Sequence, residues 1–303
     1  MSLTDRFAVS GHHFHESPSE LADSIRGLGA RGVDAWPWNF GDDPVAAAGA
    51  FAEAGIQVLT VNVPGATARL CDPSGDETLV SAGHDAIDLA VEIDAQMVQL
   101  YAAPSAASSA LAAADELAYS LASLLERAEE AGVMLTVENN LDQRGEDSRK
   151  SNPSRDPDVL ARSMQILASG WVGVAFDPCN FTTVQQEPYP YSYEILQPWI
   201  VNVHLKDCTR YDPRRHRASS AGSKLLIDSH GGAYLPKPVG QGAVPWNQIV
   251  ERLTEDGYDG WWTLDPFIVA SELRPWCEES VRWLETQPAL AGLARTTIRK
   301  DTL

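Results

Sequence analysis

The sequence predicts an α/β protein that folds as a single (β/α)₈ barrel of the TIM type. Eight short runs rich in Val, Ile, Leu and aromatic residues alternate with helix-like segments along the chain. Strands that are buried on both faces of a parallel sheet have this nearly continuous apolar character. The 303 residues suffice for such a barrel, which typically needs about 250. An open doubly wound sheet is the alternative, but residues 10–17, which follow the first strand, lack the GxGxxG phosphate loop.

The strands and helices can be placed by their composition and their end signals. The predicted strands cover residues 6–11, 32–39, 56–64, 95–103, 133–140, 171–178, 199–207 and 260–267. Helix starts are predicted where a capping side chain precedes a proline, at Ser17-Pro18, Asp43-Pro44 and Asp156-Pro157. The Ala-rich stretch 106–130 predicts the longest helix. Four glycines are predicted to end helices in the left-handed conformation: Gly55, Gly132, Gly170 and Gly257.

We expect one domain over residues 1–303, because no composition shift marks a boundary. The longest irregular stretch is a loop of residues 208–242 after the seventh strand. Loops of this length in compact domains are usually lids, partner contacts or disordered inserts. The loop carries a basic patch, which suits either an anionic partner or plain solvent exposure: Arg210, Arg214, Arg215, His216 and Arg217.

Composition excludes several classes of partner. The formal net charge of −19 repels phosphate backbones and anionic membranes, so nucleic acid and membranes are not expected partners. No apolar run approaches the roughly 18 residues of a membrane helix, and the first 20 residues show no secretion signal. The four cysteines form no CxxC pair, which predicts reduced thiols and a cytoplasmic location.

Four side chains suited to metal binding stand at the downstream ends of four successive predicted strands: Glu138, Asp177, His204 and Asp265. The carboxyl ends of parallel barrel strands open on one face, so these residues are expected to converge there. Each alone has a plainer explanation, such as a rim salt bridge, a turn aspartate or a core histidine. Together they predict a site for a divalent cation such as Mn²⁺ or Mg²⁺.

The motifs around these residues resemble the xylose isomerase-like TIM barrels. That superfamily groups sugar isomerases and epimerases with apurinic-site endonucleases. The matching segments are VENN with Glu138, FDPCNF with Asp177, NVHLKD with His204, the glycine-rich residues 240–246, and GYDGWWTLD with Asp265. They occur in the same order along the whole barrel.

The resemblance implies one metal ion held by Glu138, Asp177, His204 and Asp265. Mn²⁺ is the first expectation, with Mg²⁺, Co²⁺ or Zn²⁺ as alternatives. It also implies a small carbohydrate substrate, with Glu138 and Asp265 as the carboxylates that remove a proton from carbon and return it, on opposite faces of the substrate. Lys206 would position substrate hydroxyls. Relatives are often dimers or tetramers, so a homo-oligomer is an expectation as well.

One position departs from the family pattern, because Asp265 stands where the family normally has glutamate. Aspartate is one methylene shorter, whereas catalytic geometry tolerates an error of only about 0.5 Å. The change makes epimerisation by two bases less expected and favours isomerisation by one base, or elimination. The first alternative to a metal-dependent isomerase or epimerase is therefore a metal-dependent lyase or dehydratase of a keto-sugar or cyclitol. The second is a non-catalytic binding subunit of a complex.

The nuclease branch does not fit, because its additional metal-binding histidines have no counterparts in residues 36–38, in residues 62–64 or at position 180. The remaining polar and aromatic residues at strand ends are predicted to contact the sugar. Trp38 would face the same side as Trp36 in an extended strand and form an apolar wall. The predicted substrate-binding residues are His13, Trp38, Asn62, Tyr101, Asn140 and Asn180.

Overall fold

The computed structural model describes residues 5–72, 76–105, 107–142, 150–214, 225–268 and 270–290. Its strands are β1 (Phe7–Ser10), β2 (Gly32–Ala35), β3 (Gln57–Asn62), β4 (Met97–Leu100), β5 (Met134–Glu138), β6 (Val172–Phe176), β7 (Ile200–Leu205), β8 (Asp207–Arg210), β9 (Leu226–Ile227), β10 (Ala233–Lys237) and β11 (Trp261–Leu264). Strands β1 to β7 and β11 pair in parallel, and β1 closes the ring by pairing with both β2 and β11. The predicted (β/α)₈ barrel is confirmed, and every barrel strand is shorter than its apolar run.

Helices surround the barrel. They are α1 (Pro18–Gly27), α2 (Pro37–Phe40), α3 (Pro44–Glu53), α4 (Asp76–Glu92), α5 (Ala110–Ala131), α6 (Pro157–Leu167), α7 (Pro178–Thr183), α8 (Tyr193–Leu196), α9 (Trp246–Glu255) and α10 (Ala270–Glu285). Helices α1, α3 and α6 begin at the prolines that follow the predicted capping residues. The Asp43 carboxylate accepts a hydrogen bond from the Ala46 backbone at the start of α3, and Asp156 accepts from Val159 at the start of α6. Glu20 accepts from the backbone N–H of Ser17, just before α1.

The helix ends agree with the sequence at three of the four glycines. Gly55, Gly132 and Gly257 have left-handed φ angles of 73°, 69° and 73°. The prediction for Gly170 is wrong, because α6 already ends at Leu167 and the left-handed residue is Ala168, with φ 48°. The longest helix begins at Ala110 rather than near residue 106, which lies outside the described residues.

The stretch predicted to be an irregular loop contains a small antiparallel sheet. Strand β10 pairs with β8 and β9, so the chain after the seventh barrel strand is partly ordered by its own backbone hydrogen bonds. Asp207 fixes the end of this segment, because its carboxylate accepts from the backbone N–H groups of Gly240, Gly242 and Val244. A Cβ at Gly242 would overlap the Asp207 carboxylate, which explains glycine there. Arg215, His216 and Arg217 of the basic patch lie outside the described residues.

The hydrophobic core fills the layer between the barrel and the helices, as in the fully buried Leu21 and Ile25 of α1. Buried polar side chains, by contrast, collect near the carboxyl ends of the barrel strands, including Asn62, Glu138 and His204. Within the described residues, every helix is too short or too polar to cross a bilayer. No disulfide joins the four cysteines, all of which lie in the described part of the chain. One domain over residues 1–303 remains a proposal.

Candidate active site

Four donor side chains converge at the carboxyl end of the barrel. Glu138 ends β5, Asp177 follows β6, His204 lies in β7 and Asp265 follows β11. These strands are consecutive neighbours in the ring. One donor atom from each residue lies within 4.8 Å of the other three. Strand ends of a parallel barrel therefore bring together residues that are up to 127 positions apart in the sequence (265 − 138).

The imidazole of His204 is oriented by two buried neighbours. Its Nδ1 lies 3.3 Å from Glu138 Oε1, and its Nε2 lies 3.2 Å from Asn202 Nδ2. Burial is the largest single influence on the pKa of His204 and lowers it, but the carboxylates of Glu138, Asp265 and Asp34 together outweigh burial, and the pKa is raised to about 9. Without a metal ion, His204 and Glu138 thus form a buried charge pair.

A buried lysine joins the other two carboxylates. Lys206 Nζ donates to Asp177 Oδ2 at 2.7 Å and to Asp265 Oδ2 at 2.8 Å. Burial alone would lower the pKa of Lys206 and raise that of Asp265. The ion pairs outweigh burial, so the pKa of Lys206 is raised and the pKa of Asp265 lies below its usual range. The second oxygen of Asp177 accepts from the Asn180 backbone at the start of α7, so Asp177 also caps this helix.

The donor set fits a divalent cation. Three carboxylates face one another, and of the described residues only Lys206 and His204 are cationic partners in hydrogen-bond contact with them. A mixture of carboxylate and imidazole donors suits Mn²⁺, Mg²⁺ and similar ions. Glu138, Asp177, His204 and Asp265 can therefore hold such an ion, with Lys206 beside it.

A cavity of about 560 Å³ opens next to these donors. Glu138, His204, Lys206 and Asp265 line one side. The other side carries mainly aromatic and small residues from the first four strands and the segments that follow them, among them Ser10, His12, Asp34, Trp36, Trp38 and Tyr101. The volume is in the usual range for small-molecule sites.

An aromatic stack forms another part of the cavity wall. Trp36 stacks on Trp38 with ring centroids 5.0 Å apart and on Tyr101 at 5.7 Å, and His12 packs against Trp36 at 4.4 Å. The predicted strand alternation is wrong here, because β2 ends at Ala35 and Trp38 lies in α2. Trp36 and Trp38 nevertheless line the same cavity. The Asn39 side chain holds the turn, since Nδ2 donates to the carbonyls of Gly11 and Phe14.

Three of the six predicted substrate contacts, Trp38, Tyr101 and Asn140, line the cavity. His13 does not line it; its neighbour His12 does, while the His13 ring packs edge-on against Phe267 at 5.3 Å. Both histidines lie inside the tight turn closed by the Phe14 N–H and the Gly11 carbonyl, with ring centroids 4.4 Å apart. Sequence alone does not show which one a turn presents to a cavity.

Asn62 and Asn180 lie behind the cavity wall and hold its side chains in place. Asn180 Nδ2 donates to Glu138 Oε1 at 2.9 Å. Asn62 accepts from the Tyr101 hydroxyl at 2.8 Å and donates to Asp34 Oδ1 at 2.7 Å. Both amides are buried, so they orient groups that reach the cavity.

Asp34 is a cavity residue that the sequence reasoning missed. It is 1% exposed, yet it lines the cavity. Burial raises its pKa to about 7. The signal was present in the sequence, because Asp34 follows the apolar start of the segment GVDAW as Glu138 follows VMLTV. A strand that runs to residue 39, as predicted, has Asp34 near its start, whereas β2 ends at Ala35 and brings Asp34 close to the barrel mouth.

Solved structures similar to this chain share its fold. A probable 3-DHS dehydratase involved in petrobactin synthesis from Bacillus anthracis has a TM-score of 0.69 at 12% identity, covering 93% of this chain and 99% of its own. A 3-keto-D-glucoside 4-epimerase from E. coli has a TM-score of 0.70 at 15% identity, with coverages of 93% and 99%. A xylose isomerase-like TIM barrel protein from Mycobacterium smegmatis, in complex with magnesium, has a TM-score of 0.68 at 18% identity, with coverages of 97% and 100%.

Sequence comparison supplies the family. A search of curated protein sequences finds no significant match. The profile of one family, described as xylose isomerase-like TIM barrel, matches residues 22–287. This match includes seven of the eight barrel strands and all four donors, and the chain belongs to the xylose isomerase-like TIM barrel family.

Proposed function

We propose that this protein is a divalent-metal-dependent isomerase or epimerase of a small sugar or sugar derivative. The observation that carries the proposal is the convergence of Glu138, Asp177, His204 and Asp265 beside a cavity of about 560 Å³. The epimerase and the magnesium-bound protein among the similar structures support it at the level of the fold. We propose Mn²⁺ as the ion, with Mg²⁺, Co²⁺ or Zn²⁺ as alternatives.

Glu138 is the residue that removes a proton from the carbon beside the substrate carbonyl. It lines the cavity, and its carboxylate is oriented by Asn180 at 2.9 Å and Gln99 at 3.3 Å. Such positioning is what general base catalysis requires. A bound divalent ion supplies positive charge that stabilises the enediolate oxygens of the substrate.

Lys206 and the aromatic wall position the substrate. The Lys206 ammonium lines the cavity and keeps Asp177 and Asp265 in place, so it can also donate to a sugar hydroxyl. Trp38 and Tyr101 offer ring faces to the apolar C–H face of a sugar and exclude water from that side. Asn140 contributes a polar contact at the same cavity.

A second candidate function is a metal-dependent dehydratase acting on a keto-sugar or cyclitol. It is favoured by the contacts of Asp265, whose Oδ2 is held by Lys206 at 2.8 Å and which is shorter than the glutamate of the family pattern. A carboxylate held in this way is a weak proton shuttle. The probable dehydratase among the similar structures has the same fold.

The test is incubation of the Mn²⁺-loaded protein with ketohexoses, ketopentoses, keto-glycosides and inososes in heavy water. The proposal predicts deuterium on the carbon beside the carbonyl and a product of unchanged composition, both lost in Glu138→Gln. Glu130→Gln, at an exposed position of α5, is the matched control. A product lighter by one water selects the dehydratase, and a protein that binds no metal and exchanges no proton is the non-catalytic binding subunit.

A cytoplasmic location and a homo-oligomeric assembly remain predictions from the sequence. Nucleic acid and membranes are not proposed as partners, in line with the formal charge of −19.

A further inference from the structure

We propose that Asp34 is a second proton-transfer residue of this site and acts across the cavity from Glu138. The inference rests on the proposed function and makes it more specific, because two such groups on different sides of a substrate favour epimerisation. It assigns a role to a carboxyl group outside the four-donor cluster.

The position of Asp34 in the barrel carries the first part of the argument. The four donors come from β5, β6, β7 and β11, which are consecutive in the ring of eight strands. Asp34 lies in β2, four strands from β6 in either direction and three from β5. Because β2 is two strands from β11 but three from β5, the strand order separates Asp34 more from Glu138 than from Asp265, and a substrate in the cavity can lie between Asp34 and Glu138.

The hydrogen bonds of Asp34 carry the second part. Oδ1 accepts from Asn62 Nδ2 at 2.7 Å, and the same amide donates to the Ala35 carbonyl at 2.9 Å while its oxygen accepts from Tyr101. The carboxyl group is thus fixed through one oxygen. Oδ2 has no hydrogen-bond partner among the described residues. A side chain that is 99% buried, lines a cavity and keeps one oxygen unpartnered is suited to meet a substrate atom there.

The charges that face Asp34 carry the third part. Burial is the largest influence on its pKa and raises it; Glu138 and Asp265 also raise it, and His204 lowers it. Among the described residues none of these groups is hydrogen-bonded to Asp34, and no lysine or arginine pairs with it. A buried carboxyl group without a cationic partner holds its proton near neutral pH, where an acid or base in catalysis is most effective.

Asp265, which stands at the family's second proton-transfer position, is less suited to the role. Its Oδ2 accepts from Lys206 Nζ at 2.8 Å. An oxygen held in this way is not free to return a proton to the substrate. Asp34 is the remaining carboxyl group lining the cavity, among the described residues, that can supply one.

The proposed epimerisation consists of two proton transfers at one carbon. The Glu138 carboxylate takes a proton from the carbon beside the carbonyl, and the C–H electron pair becomes the double bond of the enediolate. The Asp34 carboxylic acid then gives its proton to that carbon from the other side, and the carbonyl re-forms. Glu138 is left protonated and Asp34 ionised, and proton exchange with water restores both.

The experiment compares wild type with Asp34→Asn, which keeps the shape of the side chain and can still accept from Asn62. Asp85→Asn, at an exposed position of α4, is the control. The sugars and Mn²⁺ conditions of the heavy-water assay are used. We expect Asp34→Asn to keep deuterium exchange into the substrate within about threefold, while product formation falls by about 100-fold or more. A purely structural role would lower both together.

A second readout uses the metal-free protein without substrate. The infrared difference spectrum of wild type minus Asp34→Asn at pH 6 should contain the carbonyl band of a protonated carboxylic acid, and the Asp85→Asn difference should not. The inference is overturned if that band is missing, if Asp34→Asn forms product within about tenfold of wild type, or if exchange and product formation fall together. Absence of both exchange and product in wild type, with the band present, overturns the proposed function instead.

Discussion

The two halves of the barrel mouth differ in the side chains that they contribute to the cavity. The half built on β5, β6, β7 and β11 carries three carboxylates, a histidine and a lysine, all joined by ion pairs. The half built on β1 to β4 carries aromatic rings, neutral amides and the single carboxyl group of Asp34. The first is the charged half of the cavity. The second, which we call the neutral half, carries only Asp34, the Arg69 guanidinium and the His12 imidazole as acidic and basic side chains among the described lining residues.

This difference indicates that one half is suited to a metal ion and the other to the substrate. Like charges in the first half repel one another unless cations lie between them, so that half is suited to a metal ion. Rings and amides in the second half offer apolar faces and hydrogen bonds, which suits a polyol. Gln99 links the halves, since Nε2 lies 2.7 Å from the Tyr101 hydroxyl and 3.3 Å from Glu138 Oε2.

The largest expected effect comes from removing the buried lysine of the charged half. Lys206→Met leaves Asp177 and Asp265 without their shared cation, and breaking a buried ion pair from one side costs about 3–5 kcal/mol. We expect the free energy of unfolding of the metal-free protein, measured with urea, to fall by about that amount. Added Mn²⁺ should stabilise this variant more than wild type. Lys237→Met is the control, and a loss below about 1 kcal/mol would show that the carboxylates do not need this cation.

Removing the imidazole should abolish metal binding. His204→Ala takes away one of four donors, and we expect the Mn²⁺ affinity measured by calorimetry to fall by about 100-fold or more, since even the loss of residues that only support ligands lowers metal affinity 10–100-fold. The circular dichroism spectrum should remain that of a folded barrel. His84→Ala, in α4, should bind Mn²⁺ like wild type. Unchanged affinity or full activity in His204→Ala would refute the site.

The carboxyl group of the neutral half should make stability depend on pH. The pKa of Asp34 is raised from 3.8 to about 7, so the folded protein binds an extra proton between these values. The resulting stabilisation is complete below pH 3.8 and is lost as the pH rises through 7. Relative to Asp34→Asn, the metal-free wild type should lose about 1 kcal/mol or more of unfolding free energy between pH 5 and pH 8. Parallel pH curves for the two proteins would contradict this.

The smallest effect is expected at the aromatic wall. Trp38→Ala removes one ring of the stack, which is worth about 0.5–1.5 kcal/mol beyond its buried area. We expect KM for the sugar to rise up to about tenfold, while the Mn²⁺ affinity stays unchanged. Trp171→Ala is the matched control, because Trp171 is 39% exposed and Trp38 is 38% exposed. A change in metal affinity would mean that the two halves are not independent.

The sequence predicted the barrel and the charged half because both depend on strand order. Each barrel strand is an apolar run, and each donor stands at the end of such a run, so topology alone brings Glu138 and Asp265 together. The neutral half was predicted less well. In that half, turns such as the one between Gly11 and Phe14 decide which side chain reaches the cavity. The positions at which β2 ends and α2 begins matter in the same way.

Two other features depend on tertiary contacts that no local pattern reveals. The β8–β10 sheet pairs short strands across a long connection, and Asp207 fixes its far end through backbone groups of residues 240–244. Asn62 ends β3 as predicted, and Asn180, also predicted at a strand end, lies in α7 just after β6; both amides are hydrogen-bonded to other side chains. Strand position predicted where these amides lie, and packing decided what they contact.

The central claim is that four side chains from consecutive strands hold one ion. The direct measurement is the anomalous difference density of a crystal grown with Mn²⁺. We predict a single peak about 2.0–2.4 Å from oxygens of Glu138, Asp177 and Asp265 and from a ring nitrogen of His204. A crystal in which Lys206 still joins Asp177 and Asp265 and no peak lies among the four side chains would contradict it.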